Sequence, residues 1–396
     1  MTGSLPKIRC LRARPILDSR GAWTVEASVE LANGVTASAS VPHGKSRGSR
    51  EAAVINPHRA AALIEQRIAP ALRGLSLDQG ELDSILLRLD GTPSKRRLGG
   101  NTLLAVSLGF ARAAARSQNV PLWRYFRSTA RIQVPRGHFP TLLVNLINGG
   151  LHAGNNLEFQ EYLVLIRQRT LAASVARAAE LYNALRDFLV QTRGGTAALL
   201  GDEGGFAPQC KDFQEPFAII QRVLRSHGWQ RGIAFGLDAA ASNISHSPRT
   251  MWRKYQTLIA RFPLRYLEDP FGEEEFSWFA RLREQVGSNV WIAGDDLTVT
   301  NVARMARAQE EGSVNAVIIK PNQVGTVTEA LAAVKAARKW GWKVVVSHRS
   351  GETDDAAIAD FAYGVGADGF KLGAPARGER TAKYNRLLAV ATSSRG

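Results

Sequence analysis

Six polar residues close short apolar runs in the second half of the chain: Asp238, Glu268, Asp295, Lys320, His348 and Lys371. The gaps between them run from 23 to 30 residues, the length of one strand-helix unit. Asp238, Glu268 and Asp295 come first, on successive runs. Carboxylates aimed at one point repel unless a cation joins them, and hard oxygen donors suit Mg²⁺ or Mn²⁺ better than zinc. One acidic strand end would mean little. Three in a row, followed by two lysines, point to a metal centre with an amine beside it.

Lys320 follows Val-Ile-Ile and precedes Pro321. Beside Lys371 and a divalent metal its ammonium form is disfavoured, so its pKa should fall and its neutral amine can act as a general base. Gly201-Asp202-Glu203-Gly204-Gly205 is an acidic loop flanked by glycines. Permissive backbone can carry Glu203 into a cleft, where it would act as the general acid for a departing hydroxyl. His152 lies in a second glycine-rich loop, Asn148 to Asn155, followed by Gln160-Glu161. Between glycines and beside a cleft it is a candidate ligand of substrate. Arg349-Ser350 follows a strand and resembles a phosphate clamp, with a guanidinium fork and a hydroxyl. No nucleophile elbow accompanies Ser347-His348, which argues against a Ser-His hydrolase.

The repeated strand-helix rhythm predicts an α/β architecture in which parallel strands form a barrel and bring their C-terminal ends to one mouth. The first third reads differently. Thr24 to Leu31 alternates, Asn33-Gly34 marks a turn, and Val35 to Val41 completes a hairpin. Helical stretches follow at Glu51–Ala69, Leu77–Leu89 and Asn101–Ser117. This predicts a smaller α+β cap over residues 1–127 and a barrel over 128–396, with the boundary in the proline-containing basic stretch 127–140.

At 396 residues two domains are expected, and 45% hydrophobic with 22% charged residues is a globular composition. No apolar run is long enough to span a bilayer. Met1 to Arg20 is charged throughout and has no signal-peptide core, so a cytoplasmic enzyme is expected. The two cysteines, Cys10 and Cys210, read as reduced thiols. The net charge of +16 would attract anions, but the basic residues are spread out and no nucleic-acid motif accompanies them. Nucleic acid and membrane are not expected partners; a small phosphorylated carboxylate is.

The motifs together resemble the enolase family along nearly the whole chain. They run from Ile16-Leu17-Asp18-Ser19-Arg20-Gly21 and Leu89-Asp90-Gly91-Thr92 through the two glycine-rich loops. Leu267-Glu268-Asp269-Pro270, Gly294-Asp295-Asp296-Leu297 and Lys320 with Asn322-Gln323 follow, then Ser347 to Thr353 and Lys383-Tyr384-Asn385. The resemblance implies an enolase-type βα (TIM-like) barrel behind an α+β cap, assembled as a homodimer. It implies a lyase that removes water from 2-phosphoglycerate or a close analogue to give an enolpyruvate product. Asp238, Glu268 and Asp295 match its Mg²⁺ ligands, Lys320 its base and Glu203 its proton donor. His348 and Glu161 match positions in its catalytic set. His152, Glu161, His348, Arg349, Ser350 and Lys371 match substrate-binding positions.

The loop from Pro42 to Glu51 departs from the family pattern. His43, Lys45 and Arg47 stand where Ser, Ala and Thr are usual. They are counted with the substrate-binding residues because this loop is expected to close over substrate. The replaced Ser helps bind a second Mg²⁺, so only one ion is firmly implied. These departures support a second reading: a paralogue acting on a larger or more anionic substrate, such as the carboxyphosphonoenolpyruvate synthase of phosphonate pathways. A third reading, a non-catalytic RNA- or protein-binding homologue, is disfavoured because Lys320 and Glu203 are both kept.

Overall fold

A computed structural model describes residues 5–45 and 47–393. The chain opens with an antiparallel three-stranded sheet of β1 (Ile8–Leu17), β2 (Trp23–Leu31) and β3 (Thr36–Ser40), in that order. Alternation along β2 buries Val25, Ala27, Val29 and Leu31, the period-two pattern of a sheet covered on one face. The turn at Asn33-Gly34 forms as expected, with Gly34 at φ +85°. The cover is the helix Gly100–Ser117. A Cβ on Gly109 would come within 3.2 Å of Val29, so glycine lets helix and sheet approach closely.

The first cap helix begins later than its composition predicts. It starts at Pro57, not Glu51, and residues 51–56 are outside it. Pro57 disfavours helical backbone at the residue before it, and the Asn56 side chain accepts from the His58 and Arg59 amides, fixing the N-cap there. Glu51 is thereby left on a non-helical segment that reaches the barrel.

Eight strands close the barrel. They are β4 (Thr141–Asn148), β5 (Glu161–Ile166), β6 (Ile233–Asp238), β7 (Leu264–Glu268), β8 (Trp291–Gly294), β9 (Ala316–Ile319), β10 (Lys343–Ser347) and β11 (Gly369–Lys371). Asp238, Glu268 and Lys371 end their strands, and Asp295, Lys320 and His348 stand one residue beyond theirs, as the rhythm predicts. The departure is at the start: β5 runs antiparallel to both β4 and β6. Its beginning, not its end, therefore reaches the mouth, which places Glu161 there.

Leu143, Leu163, Leu165, Tyr266, Ala293, Ala316, Ile318 and Val345 form a separate buried apolar cluster. These residues all come from barrel strands and pack as a filled core beneath the mouth. Gly236 makes room for Tyr266, whose ring would meet a Cβ there at 3.2 Å. Cys10 and Cys210 are free thiols. Among the described residues, no helix is long and apolar enough to cross a membrane.

Candidate active site

Strand register sets the acidic floor of the mouth. Asp238 is paired with Glu161 on one side and Glu268 on the other. Lys371 reaches into this row, its Nζ 2.7 Å from Asp238, 2.9 Å from Glu268 and 3.0 Å from Glu161. Lys320 ion-pairs with Asp295, and Gln323 donates to the other Asp295 oxygen at 2.8 Å. Pro321 opens a short helix, which leaves Lys320 extended at its N-cap.

The expected metal trio is thus not gathered around one point. Asp238 and Glu268 close on the Lys371 ammonium, and Asp295 closes on Lys320. The groups that do cluster within 4.8 Å are Asp269, Asp295 and Asp296, and separately His152, Glu161 and Glu203. Yet Glu268 feels the charges of both Asp238 and Asp295, so the three still share one field.

Lys320 also departs from expectation. Burial, the largest influence, lowers its pKa, but with the Asp295 charge and then the Glu268 charge beside it the net direction is upward. Lys371 likewise stays an ammonium: burial opposes the charge, and Asp238, Glu161 and Glu268 outweigh it.

Glu203 enters on its glycine loop as anticipated. Gly204 has φ +82°, and a Cβ on Gly205 would fall 2.7 Å from Asn148 Oδ1. Asn145 donates to Glu203 at 3.1 Å; His348 Nε2 lies 3.3 Å away and His152 Nδ1 3.6 Å. Arg380 faces His348 Nδ1. A guanidinium only donates, so Nδ1 accepts and the imidazole proton sits on Nε2, toward Glu203.

Burial pushes His348 down to about 3 and also lowers His152. Burial raises the Glu203 carboxyl, while His348, His152 and Arg380 pull it well below the usual range. Much of that pull needs charged imidazoles, which are neutral near pH 7. Glu161, raised well above the usual range by burial and by the Glu203 charge, holds the proton of this acid pair.

The shared cavity is lined by groups including Glu161, Glu203, Asp238, Lys320, His348 and Lys371. It measures about 20 Å³, room for roughly one water. His152, Arg349 and Ser350 also reach it. The phosphate clamp, however, is not open: the Arg349 fork is engaged by Glu51, and Ser350 Oγ accepts from the Lys45 amide.

His43, Lys45 and Arg47 do not line the cavity; Gly44 does. His43 pairs through its backbone with Gly351. The Lys45 ammonium points outward to Asp202 at 3.3 Å. Arg47 donates to the Ala52 carbonyl. All three are thus held by partners outside the cavity lining.

Several contributors escaped the sequence reading. Asp269, at φ +39°, accepts from the Asp295 and Asp296 amides and fixes that loop. Arg380 is fully buried and bonds the carbonyls of Arg349 and Ser350. Gln160 lines the cavity, and Glu51 reaches from the cap to the Arg349 guanidinium. The doubled acid in Asp295-Asp296 and the acid after Glu268 were visible signals.

The donor set fits a divalent cation. Glu161, Glu203, Asp238, Glu268, Asp269, Asp295 and Asp296 are all buried, facing two lysines. Burial, then the Asp238 charge, raises Glu268 to about 8, and burial, then Asp295, raises Asp296 to about 7. Glu161 Oε2 and Gln160 Oε1 are buried without a hydrogen-bond partner. Oxygen acceptors in excess of positive charge are what Mg²⁺ neutralises.

A pH dependence follows. The ordinary values of Glu268 and Asp296 are 4.5 and 3.8, so between pH 6.5 and 8 the folded chain holds protons that the unfolded chain has lost. Stability must then fall as pH rises. His348 acts oppositely, but only below its ordinary 6.5. With chelator present, Tm is expected to drop over this interval. Saturating Mg²⁺ should remove the drop, because a cation favours the ionised carboxylates. Equal slopes with and without Mg²⁺ would contradict the assignment.

Comparison with known proteins agrees with this geometry. Residues 8–126 match the family model described as Enolase, N-terminal domain. Residues 137–252 and 243–393 match that described as Enolase, C-terminal TIM barrel domain. An Enolase of Methanopyrus kandleri is 41% identical over 414 residues, covering 98% of this chain and 96% of its own. An Enolase of Aeropyrum pernix is 40% identical, covering 95% and 91%. One of Nitratiruptor sp. is 40% identical, covering 96% and 95%. Likeness of that depth through both cap and barrel means that the chain belongs to the enolase family and is an enzyme of the hydro-lyase class.

Proposed function

We propose that the chain is a Mg²⁺-dependent dehydratase that converts 2-phosphoglycerate to phosphoenolpyruvate, with residues 1–127 as cap and 128–396 as catalytic barrel. We take the working form to be a cytoplasmic homodimer, as the family resemblance implies. The observation that carries the reading is that an amine, Lys320, and a carboxyl pair, Glu161 and Glu203, line one acidic-floored cavity.

Asp238, Glu268 and Asp295 would hold the ion, which supplies positive charge beside the substrate carboxylate. In the neutral state, Lys320 takes the proton next to that carboxylate. The proton of the Glu161–Glu203 pair rests on Glu161, passes to Glu203 as substrate is bound, and is delivered by Glu203 to the departing hydroxyl, which leaves as water. The Nε2 proton of His348 stabilises Glu203 once it is ionised. Lys371 places its charge against the substrate carboxylate. The cavity is too small for a phosphorylated three-carbon acid, so substrate and ion must draw both ammonium groups away from their carboxylates. Lys320 then loses the Asp295 charge that keeps it protonated, which is the direction a base requires.

The altered-substrate reading is not favoured. Among the departures it drew on are His43, Lys45 and Arg47, whose side chains stay off the cavity, and the similar proteins carry the name Enolase. The test is a steady-state assay with 2-phosphoglycerate, following enolpyruvate absorbance. Turnover on the order of ten per second is expected with Mg²⁺, and none in excess chelator. No turnover with Mg²⁺ would overturn the substrate.

A further inference from the structure

Glu51 belongs to the cap, yet its carboxylate meets Arg349, a residue of the barrel mouth. It receives two parallel hydrogen bonds from the Arg349 guanidinium, each 3.0 Å long. Both side chains are buried, with 2% and 3% exposure. Arg349 itself is held firmly. Its amide donates to Glu352 at 3.0 Å, and its carbonyl accepts from Arg380 at 2.6 Å. Gly44 presses against the guanidinium so closely that a Cβ there would fall 2.0 Å from Nη2. The fork is therefore aimed and fixed, and one edge of it is spanned by a carboxylate.

An arginine edge takes one bidentate oxyanion at a time, whether carboxylate or phosphate. Replacing a buried pair of this kind by apolar groups often costs a fold nothing, so stability alone does not call for it. A second cation stands ready: Arg47 Nε is 3.6 Å from the same Glu51 carboxylate and is partly open to solvent.

We propose that Glu51 is a stand-in anion for the phosphate group of the substrate: it holds the Arg349 fork until phosphate displaces it, and then pairs with Arg47. Glu51 is thus a positioning residue that sets affinity for the phosphate end, and Arg47 is the receiver that makes its displacement easier. The inference rests on the phosphorylated substrate proposed above and deepens it.

The test uses the full chain and inorganic phosphate as probe, with binding followed by calorimetry. Glu51→Gln keeps the side-chain shape but removes the competing charge. It should bind phosphate about tenfold more tightly than wild type and lower KM for 2-phosphoglycerate more than it changes kcat. Glu51→Asp should return affinity toward wild type. Arg47→Gln should weaken phosphate binding about threefold, and this effect should vanish in the Glu51→Gln background. Equal or weaker phosphate binding by Glu51→Gln would overturn the proposal. If that variant does not fold, Arg47→Gln decides, and unchanged affinity there overturns it. The predicted binding pattern in an enzyme that does not dehydrate 2-phosphoglycerate would place the error in the substrate assignment, leaving the role of Glu51 standing.

Discussion

Lys371→Met is expected to cost the metal-free protein about 3–5 kcal/mol of stability and to regain most of it on adding Mg²⁺. The reason is local charge. One ammonium stands against the carboxyl groups of Asp238, Glu161 and Glu268, all three fully or almost fully buried, and limits how many protons they must hold. Methionine fills the same space but leaves those carboxylates facing one another. They must then take up protons or unfold, so the loss should shrink at low pH. A divalent ion between Asp238 and Glu268 supplies the missing charge, and thermal melts with and without Mg²⁺ read the rescue. Activity should remain lost, because the substrate carboxylate no longer meets the lysine. Equal melting temperatures of variant and wild type in chelator would contradict this account.

Much of the site was legible because barrel strands announce their ends. An apolar run that stops at Asp238, Glu268 or Lys371 marks both a strand and the place where its last side chain leaves the apolar core for the polar mouth. Glu203 was legible for another reason, since Gly204 and Gly205 follow it where positive φ is needed or a Cβ would clash. The antiparallel β4–β5 pair was not legible. It breaks the strand-helix rhythm, and nothing in the spacing of Asn148 to Glu161 tells a hairpin from a loop before a helix.

Charge partners were the least readable. Lys320 was expected to lose proton affinity, yet its short link to Asp295 raises it, because which carboxylate a lysine meets depends on packing across the barrel. The partners of Lys45 and Arg47 were equally hidden. Both are long, flexible and charged, and each found an outer partner, Asp202 or the Ala52 carbonyl. Glu51 and Arg349 are 298 positions apart in the chain, and no local pattern links them.

Lys320→Ala is expected to lower kcat by about 10⁴-fold with little change in KM for 2-phosphoglycerate. Of the two lysines that line the cavity, Lys320 pairs with Asp295, apart from the acidic row that Lys371 serves. Alanine leaves Asp295 available to the ion, so metal binding should survive or strengthen. Glu203→Gln should also abolish dehydration, but for a different reason: the proton for the hydroxyl is missing while the base is intact.

Solvent deuterium exchange at carbon 2 of 2-phosphoglycerate separates these two losses directly. Wild type and Glu203→Gln should both exchange that hydrogen in Mg²⁺ and D₂O, and Lys320→Ala should not. Exchange retained by folded Lys320→Ala would contradict the assignment of the amine as base.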